Sequence, residues 1–217
     1  MNHNTACGAK HKQRGSSAWQ KLPILMTAAL LALACQTAPP PRLVSDANAS
    51  GNKLWRERTD RSIQMIKDWA ITKVNGGALK IADLRGKVVV VDVWATWCGP
   101  CRKQAPQLAA LNARYRERGL EIVGLSLNDP KEHQAEVEQF VKAAGINYTV
   151  AYADRRISEA FLRGTEDETG QAPIPQLFVL SRDGHLIEHF VGEDPTRGLT
   201  LLEKVVNQQL SGTESSR

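Results

Sequence analysis

The chain has 217 residues, of which 42% are hydrophobic, so it is long enough for one folded domain with appendages and too apolar to be disordered throughout. Its formal charge is +5, but residues 1–34 contain four basic residues and no acidic one; the remainder carries 24 basic against 23 acidic residues. The balance of charges therefore gives no support for a basic nucleic-acid surface on the rest of the chain, and we expect no nucleic-acid partner.

The first segment resembles an export signal. A basic stretch that ends at Lys21 precedes thirteen uncharged residues over 22–34, too few to span a bilayer comfortably but typical of a signal peptide. The sequence LALAC, which ends at Cys35, resembles the lipobox of bacterial lipoproteins, whose cysteine is lipidated and begins the mature chain. We expect residues 1–34 to be removed and Cys35 to carry a lipid. Cleavage to a soluble protein and retention as an uncleaved anchor remain alternatives.

Residues 35–53 are rich in proline, alanine, serine, asparagine and glycine, which predicts a flexible tether. The segment 54–68 predicts a short amphipathic helix. Its apolar side would comprise Leu54, Trp55, Met65 and Ile66. We expect the folded domain to cover 54–212 and residues 213–217 to form a disordered tail.

Strand and helix patterns alternate from Trp69 onward. Two alternating runs around Asn75-Gly76-Gly77 predict a hairpin, and the β-branched run over 88–94 predicts a strand buried on both faces. The other expected elements are a helix over 99–118, a strand over 120–127, a helix from Pro130 to about Ala144, a strand over 148–153, a short helix over 157–162, two strands over 175–181 and 185–192, and a helix over 199–210. This order predicts one α/β domain with a central mixed sheet, parallel in its first part and flanked by helices.

Two cysteines belong to the folded body, Cys98 and Cys101, separated by a glycine and a proline where the buried strand passes into a helix. The free N–H groups and the dipole at a helix start stabilise an anion, which lowers the pKa of the first thiol. A spacing of three residues brings the second sulfur within disulfide distance. We therefore expect Cys98 to attack, Cys101 to resolve, and no cofactor beyond their redox-active disulfide.

Other uses of the pair fit less well. A zinc site would need further ligands, and the histidines are scattered; His185 and His189 share one predicted strand face but do not make a metal site alone. A permanent disulfide across so small a loop would stabilise little. A peroxiredoxin-like peroxidase would require a proline where Val91 stands. We expect no resident metal, although two thiolates are also a ligand set for Cu(I).

The segment VVVVDVWATWCGPC, over 88–101, resembles the active-site strand and turn of thioredoxins, with WCGPC as their most specific motif. From about Trp69 to Leu210, including the hairpin, the chain is similar to exported thioredoxin-like proteins of the TlpA/ResA type. That resemblance implies a thioredoxin-like fold with an extra amino-terminal β-hairpin. It also implies a disulfide oxidoreductase tethered in the periplasm or on the outer face of a membrane, where many such proteins serve cytochrome c or copper-centre assembly.

The resemblance assigns roles to several residues. Pro175 matches the cis-proline that lies against the disulfide and leaves a backbone edge at Ile174 free for a substrate strand. Asp92, six residues before Cys98, matches the buried aspartate that relays a proton to the resolving cysteine, and burial should raise its pKa. An edge position that faces water is the alternative for Asp92. The substrate-binding surface would comprise Trp97, Gly99, Pro100 and Ile174, with Trp94 in the core instead.

Two features depart from the family pattern. Proteins of the TlpA/ResA type often carry a glutamate three residues after the second cysteine, and Gln104 replaces it here, so an acid role at this position is lost. The segment 163–172 is longer than usual before the cis-proline. Its acidic residues Glu166, Asp167 and Glu168 either bias the choice of substrate or form a solvated loop.

The expected function is reduction of disulfides in exported proteins, because the Gly99-Pro100 dipeptide matches reducing thioredoxins. In an oxidising compartment, such a reductase needs a membrane electron donor as a second partner. We expect a monomer in the periplasm, held at a membrane through Cys35. A disulfide oxidase or isomerase, and a Cu(I)-handling protein, are the alternatives.

Overall fold

A computed structural model describes residues 49–191 and 195–212, with side chains described over 53–191 and 199–212. The predicted signal segment, Cys35, most of the predicted tether and the tail 213–217 lie outside the described residues. Within the described part, none of the helices combines the length and the apolar character that crossing a bilayer requires.

A five-stranded mixed sheet forms the centre of the domain, with strand order β5-β4-β3-β6-β7. Its strands are β3 (Val88–Trp94), β4 (Leu120–Ser126), β5 (Thr149–Tyr152), β6 (Gln176–Leu180) and β7 (Leu186–Val191). β3 pairs in parallel with β4 and β4 with β5, whereas β6 is antiparallel to both β3 and β7. All seven residues of β3 are buried, which confirms the prediction from its β-branched run.

Five helices cover the two faces of this sheet and confirm the thioredoxin-like architecture. They are α1 (Ala49–Ile66), α2 (Gly99–Tyr115), α3 (Pro130–Ala143), α4 (Arg155–Leu162) and α5 (Pro195–Ser211). Because side chains alternate along a strand, β3 contributes to two cores. Val89, Val91 and Val93 pack with residues of α1 and α4, while Val88 and Val90 pack with residues of α2 and α5. Asp92 shares the second face.

The predicted hairpin is present and extends the fold beside β5. Its strands β1 (Ile71–Thr72) and β2 (Ala78–Leu79) are antiparallel, with Ile71 opposite Leu79. The backbone N–H of Val74 donates to the carbonyl of Val150 at 2.9 Å. The hairpin therefore covers the β5 edge of the main sheet, which would otherwise offer unpaired backbone groups to another chain.

Helix α1 covers the opposite edge, at β7. Three of its polar side chains, spaced four residues apart, bond to backbone groups at or just before this strand. Arg56 donates to the carbonyl of Ile187 at 2.8 Å, Asp60 accepts from the N–H of Leu186 at 2.8 Å, and Gln64 donates to the carbonyl of Gly184 at 2.7 Å. The residue numbers of these partners fall as those of the helix rise, so α1 runs antiparallel to β7. The helix thus begins at the carboxyl end of β7 and ends near its amino end.

Helix α1 differs from its prediction in two respects. It begins at Ala49, so the last residues of the predicted tether are helical. Leu54 and Met65 were expected on its apolar side, but they are 66% and 70% exposed. The buried side instead follows the helical repeat through Trp55, Thr59, Ile63 and Ile66. The polar contacts with β7 fix this rotation of the helix, and a sequence pattern does not reveal such long-range contacts.

Candidate active site

The two cysteines lie where β3 passes into α2 and are joined in a disulfide. Cys98 is the residue that caps α2, and its sulfur accepts the backbone N–H of Cys101 at 3.2 Å. Pro100 lies in the first turn, where backbone N–H groups have no partner within the helix, so the lack of an N–H costs no hydrogen bond. Both cysteines are buried, at 5% and 3% exposure. When reduced, Cys98 is thus the thiol on which the helix start stabilises negative charge.

The loop before β6 approaches the same sulfur from the other side. The peptide bond between Ile174 and Pro175 is cis, as the resemblance implied. The carbonyl oxygen of Ile174 lies 3.6 Å from Sγ of Cys98. The structure therefore brings Cys98, Ile174 and Pro175 together, although 72 residues of chain lie between Cys101 and Ile174.

Asp92 lies on β3, in the middle of the sheet, and is only 3% exposed, which excludes the alternative of a water-facing edge position. Its Oδ1 accepts a hydrogen bond from Nε2 of Gln104 at 3.2 Å. Burial raises the pKa of Asp92 to about 7, and the bond from Gln104 opposes this rise. Gln104 follows Cys101 by three residues on α2, so both side chains lie on the same side of the helix. The carboxyl group is thus buried against the side of α2 that also carries Cys101, and its pKa lies near neutral pH.

A glycine in β4, opposite Asp92, leaves space for the rings of Trp94 and Tyr148. Gly124 is the strand partner of Asp92, and a Cβ atom there would lie 2.9 Å from Nε1 of Trp94 and 3.2 Å from Tyr148. Burial and then the charge of Asp92 raise the pKa of Tyr148. Nε1 of Trp94 and the hydroxyl of Tyr148 are buried without a hydrogen-bond partner among the described residues. Trp94 is therefore a core residue, as expected, and it packs against the side of the sheet that holds Asp92.

A buried polar network fixes the turn that carries the cysteines. Asn128, just after β4, accepts the backbone N–H of Thr96 at 3.0 Å and donates to its hydroxyl at 2.8 Å. Ser126 donates to the same oxygen of Asn128 at 3.1 Å. Sequence reasoning missed Asn128. Its position directly after a buried strand, at the edge where the cysteines lie, is the signal that could have identified it.

The remaining predicted site residues line the exposed rim. Trp97 is 70% exposed, and Gly99 and Pro100 are exposed as well. Ile174 is half-buried and packs against both the core under α4 and the cluster that contains the cysteines. Within the described residues, no group of three or more histidine, cysteine or acidic side chains has a geometry that could hold a metal ion.

The acidic segment before the cis-proline is partly tied to its own backbone. Glu166 accepts the N–H of Gly164 at 2.5 Å, and Asp167 accepts the N–H and the hydroxyl of Thr169 at 2.8 and 2.6 Å. The bond from the Thr169 hydroxyl is the main reason that the pKa of Asp167 is lowered. All three acids are exposed, but two of them stabilise the loop through these bonds. Glu168 takes part in none of these loop contacts.

Comparison with known proteins agrees with this geometry. The model of the AhpC/TSA family matches residues 63–189, more than half of the chain. Thiol-disulfide oxidoreductase ResA of Bacillus anthracis is 32% identical over 127 residues, which cover 58% of this chain and 67% of that protein. ResA of Bacillus subtilis is 27% identical over 169 residues, or 77% of this chain and 84% of that protein.

Solved structures give the same result. A thioredoxin-family thiol:disulfide interchange protein from Chlorobium tepidum has a TM-score of 0.56 and 29% identity, covering 65% of this chain and 92% of its own. A second protein from that organism, described as a putative thiol:disulfide interchange protein DsbE, has a TM-score of 0.52 and 26% identity over 67% and 94% of the two chains. With its buried Cys98–Cys101 disulfide, the chain belongs to the AhpC/TSA family, as a thioredoxin-like thiol-disulfide oxidoreductase similar to ResA.

Proposed function

We propose that this oxidoreductase works as a reductase of disulfides in exported proteins, by exchange with its own dithiol and without another cofactor. The observation that carries the proposal is the environment of Cys98. Its sulfur caps a helix, and it lies against the backbone carbonyl of Ile174 beside an exposed tryptophan, Trp97. A polypeptide that bonds to the backbone at Ile174 would bring its disulfide to this sulfur.

The exchange proceeds in two steps. The Cys98 thiolate attacks one sulfur of the substrate disulfide, forms a mixed disulfide and releases the other substrate sulfur as a thiolate. Cys101 then loses its proton and attacks Sγ of Cys98, which forms the Cys98–Cys101 disulfide and releases the second substrate thiolate. The substrate gains two electrons and two protons, and the protein becomes oxidised. A membrane dithiol carrier would return it to the reduced state by the reverse exchange.

Asp92 would serve as the base for the second step. With a pKa of about 7, its carboxylate and its acid form are both populated at neutral pH, as efficient proton transfer requires. Its amide partner Gln104 lies on the same side of α2 as Cys101, which supports transfer from that thiol directly or through one water. Pro175, Trp97, Gly99 and Pro100 would contribute the surface on which the substrate lies.

We further propose that the protein is a monomer tethered in the periplasm through a lipid on Cys35, where apocytochromes c or copper-centre proteins are candidate substrates. The sequence around Cys35 supports the anchor, and the similarity to ResA supports the type of chemistry. Metabolic labelling with a radioactive fatty acid tests the anchor. Replacement of Cys35 by alanine should abolish incorporation and release the chain from membranes.

The reduction potential of the Cys98–Cys101 couple tests the direction of the reaction. We would equilibrate the full-length chain, in detergent, with dithiothreitol or glutathione buffers and quantify the two states after thiol trapping. A potential of around −270 mV, as in thioredoxin, supports a reductase. A potential of about −120 mV, as in a strong disulfide donor, would mean that the protein oxidises its substrates.

A further inference from the structure

Gln176, the residue after the cis-proline, links three separate segments. It is fully buried. Its Nε2 donates to the carbonyl of Pro173 at 2.7 Å and to the hydroxyl of Thr165 at 2.9 Å. Its Oε1 contacts Nε2 of His189 at 2.7 Å. Both N–H groups of this amide and its oxygen are thus used to hold the loop before β6 to β7. We call these four residues, Thr165, Pro173, Gln176 and His189, the amide bridge.

The hydrogen-bond pattern fixes the proton on His189. Because Nε2 of Gln176 donates two bonds, Oε1 must be the acceptor, and Nε2 of His189 must therefore carry the hydrogen. The imidazole ring packs against Phe178 and Trp55, with ring centroids 4.5 Å away in each case. Burial, aided by the charge of Arg56, lowers the pKa of His189 to about 4. The ring thus stays neutral and the bridge unchanged throughout the pH range in which the thiols react.

The bridge encloses the part of the loop that touches the active-site sulfur. Pro173 and Gln176 lie on either side of Ile174 and Pro175, so the bond between them closes a small ring of backbone around the cis peptide. The Ile174 carbonyl in that ring is the group 3.6 Å from Sγ of Cys98. An apolar residue at position 176 would fill the same space, and a buried amide is costly to leave unbonded. The use of glutamine here therefore points to positioning of the loop.

His185 provides a contrast on the same strand connection. Its Nδ1 lies 3.0 Å from the carboxylate of Asp60, and its side chain is exposed. The two histidines, predicted to share one strand face, thus have different surroundings: one bonds to helix α1 at the surface and the other to the loop behind Cys98.

We propose that Gln176 and His189 are positioning residues that hold the Ile174 backbone edge in place for protein substrates, and so determine the preference for protein disulfides over small ones. The proposal rests on the proposed function, since it assumes that a substrate strand lies along this edge. A small disulfide needs only the sulfur of Cys98 and makes no use of the edge. Loosening the bridge should therefore weaken docking of proteins without changing the chemistry of the thiols.

Two variants test the proposal in the full-length chain: His189→Phe, which keeps a ring against Phe178 and Trp55, and Gln176→Met, which keeps the volume. Dithiothreitol-driven reduction of insulin and of hydroxyethyl disulfide supplies the kinetics. For insulin, we expect KM to rise about tenfold, the equivalent of one buried hydrogen bond, with little change in kcat. The rate of hydroxyethyl disulfide reduction should change less than twofold. The reduction potential should shift by no more than a twofold change in the equilibrium constant would cause. His189→Gln, which keeps an N–H donor, should have a KM for insulin close to that of the wild-type chain. His185→Phe, on the same strand connection, is the matched control and should leave this KM unchanged.

The outcomes separate the possibilities. If both variants lose activity equally on insulin and on hydroxyethyl disulfide, the residues act on the thiols or on the fold, and the proposal fails. If KM for insulin is unchanged in folded variants, it also fails. Should both buried variants prove unfolded, Thr165→Val removes one bond of the bridge from a partly exposed position, and unchanged KM there would contradict the proposal. A wild-type chain that reduces neither substrate, or has an oxidising potential, would instead contradict the proposed function.

Discussion

Two polar groups, the buried Asp92 and the partly buried His189, lie on opposite faces of the sheet near the active-site edge, and they differ in how completely they are hydrogen-bonded. Asp92, on the side of α2, has one side-chain partner, Gln104, and burial raises its pKa to about 7. His189, on the side of α1, bonds to the amide of Gln176, whose nitrogen donates two further bonds, and burial lowers the pKa of His189 to about 4. Both are kept neutral by burial at mildly acidic pH. Only Asp92 acquires its charge near neutrality.

The difference shows how burial can serve two purposes in one small domain. A carboxyl group with a single amide partner retains a proton that it can exchange, which suits acid–base chemistry. A neutral imidazole within a satisfied network has a fixed proton and a fixed position, which suits a structural role. The first group is expected to control how fast the thiols react, and the second which substrates reach them.

The largest effect should come from Cys101→Ser, which removes the thiol that Asp92 would serve. Turnover should be abolished, because the mixed disulfide on Cys98 has no resolving sulfur. Non-reducing electrophoresis after incubation with a disulfide substrate should show a covalent complex. Cys98→Ser should form no such complex, and a complex that forms with this second variant would contradict the assignment of Cys98 as the attacking residue.

Asp92→Asn should have the next largest effect. The rate of resolution should fall by roughly 10²-fold, the lower end of a general-base contribution, and lose its increase through about pH 7. Stopped-flow measurement of tryptophan fluorescence during oxidation of the protein would follow this step. Asp183→Asn, in an exposed turn, is the control. An unchanged pH profile in the Asp92 variant would exclude the carboxyl group as the base.

The same substitution should also change how stability depends on pH: the rate of resolution rises with pH through Asp92, whereas the stability that Asp92 contributes falls. The native pKa of Asp92, about 7, lies above the unfolded value, so the native state binds more protons between about pH 4 and pH 7. Stability is therefore greatest below this window and declines as the pH rises through it, by about 4 kcal/mol for three pKa units. Asp92→Asn should remove that decline, and urea unfolding of the oxidised protein at pH 5 and pH 8 measures the part above pH 5, about 3 kcal/mol. Equal pH dependence in the two proteins would contradict the raised pKa.

Gln104→Met should give a moderate effect, by removing the hydrogen bond that holds the pKa of Asp92 down. The midpoint of the pH–rate profile should move above 7, so resolution slows at neutral pH and recovers in more alkaline solution. Gln107→Met, at an exposed position of the same helix, is the matched control. A midpoint that moves down would show that the amide does not stabilise the carboxylate.

The smallest effect is expected from Glu168→Lys. Its charge is exposed and screened by salt, so the ratio of rates on acidic and basic protein substrates should change by about twofold or less. Asp167→Lys is a poor test of charge, because Asp167 also holds the loop through Thr169 and Gln171. If Glu168→Lys leaves the ratio unchanged at low salt, the charge of Glu168 has no part in substrate choice.

Much of the fold could be predicted because its signals are local. The β-branched run of β3, the glycine that ends the helix after Cys101 and the turn residues between β1 and β2 all determine structure within a few positions. The cysteine pair and the cis-proline were likewise identified from short motifs. These features place the thiols at one edge of a mixed sheet.

Three of the contacts that the sequence did not predict join residues that are distant in the chain or belong to different elements. Gln104 was expected only to lack an acid role, but the packing of α2 on β3 makes it the partner of Asp92. The bond between Gln176 and His189 depends on the register of β6 and β7, in which Phe178 is opposite His189. The rotation of α1 depends on the edge of β7. None of these has a pattern in neighbouring residues from which it could be inferred.

The antiparallel course of α1 along β7 has a consequence for how the domain is presented to its partners. The carboxyl end of β7 lies at the same edge of the sheet as the amino end of β6, where Cys98 meets the cis-proline loop. Since α1 begins there, the polypeptide enters the folded domain on the side of the dithiol. The start of α1 and the Cys98–Cys101 disulfide therefore lie at the same end of the folded domain.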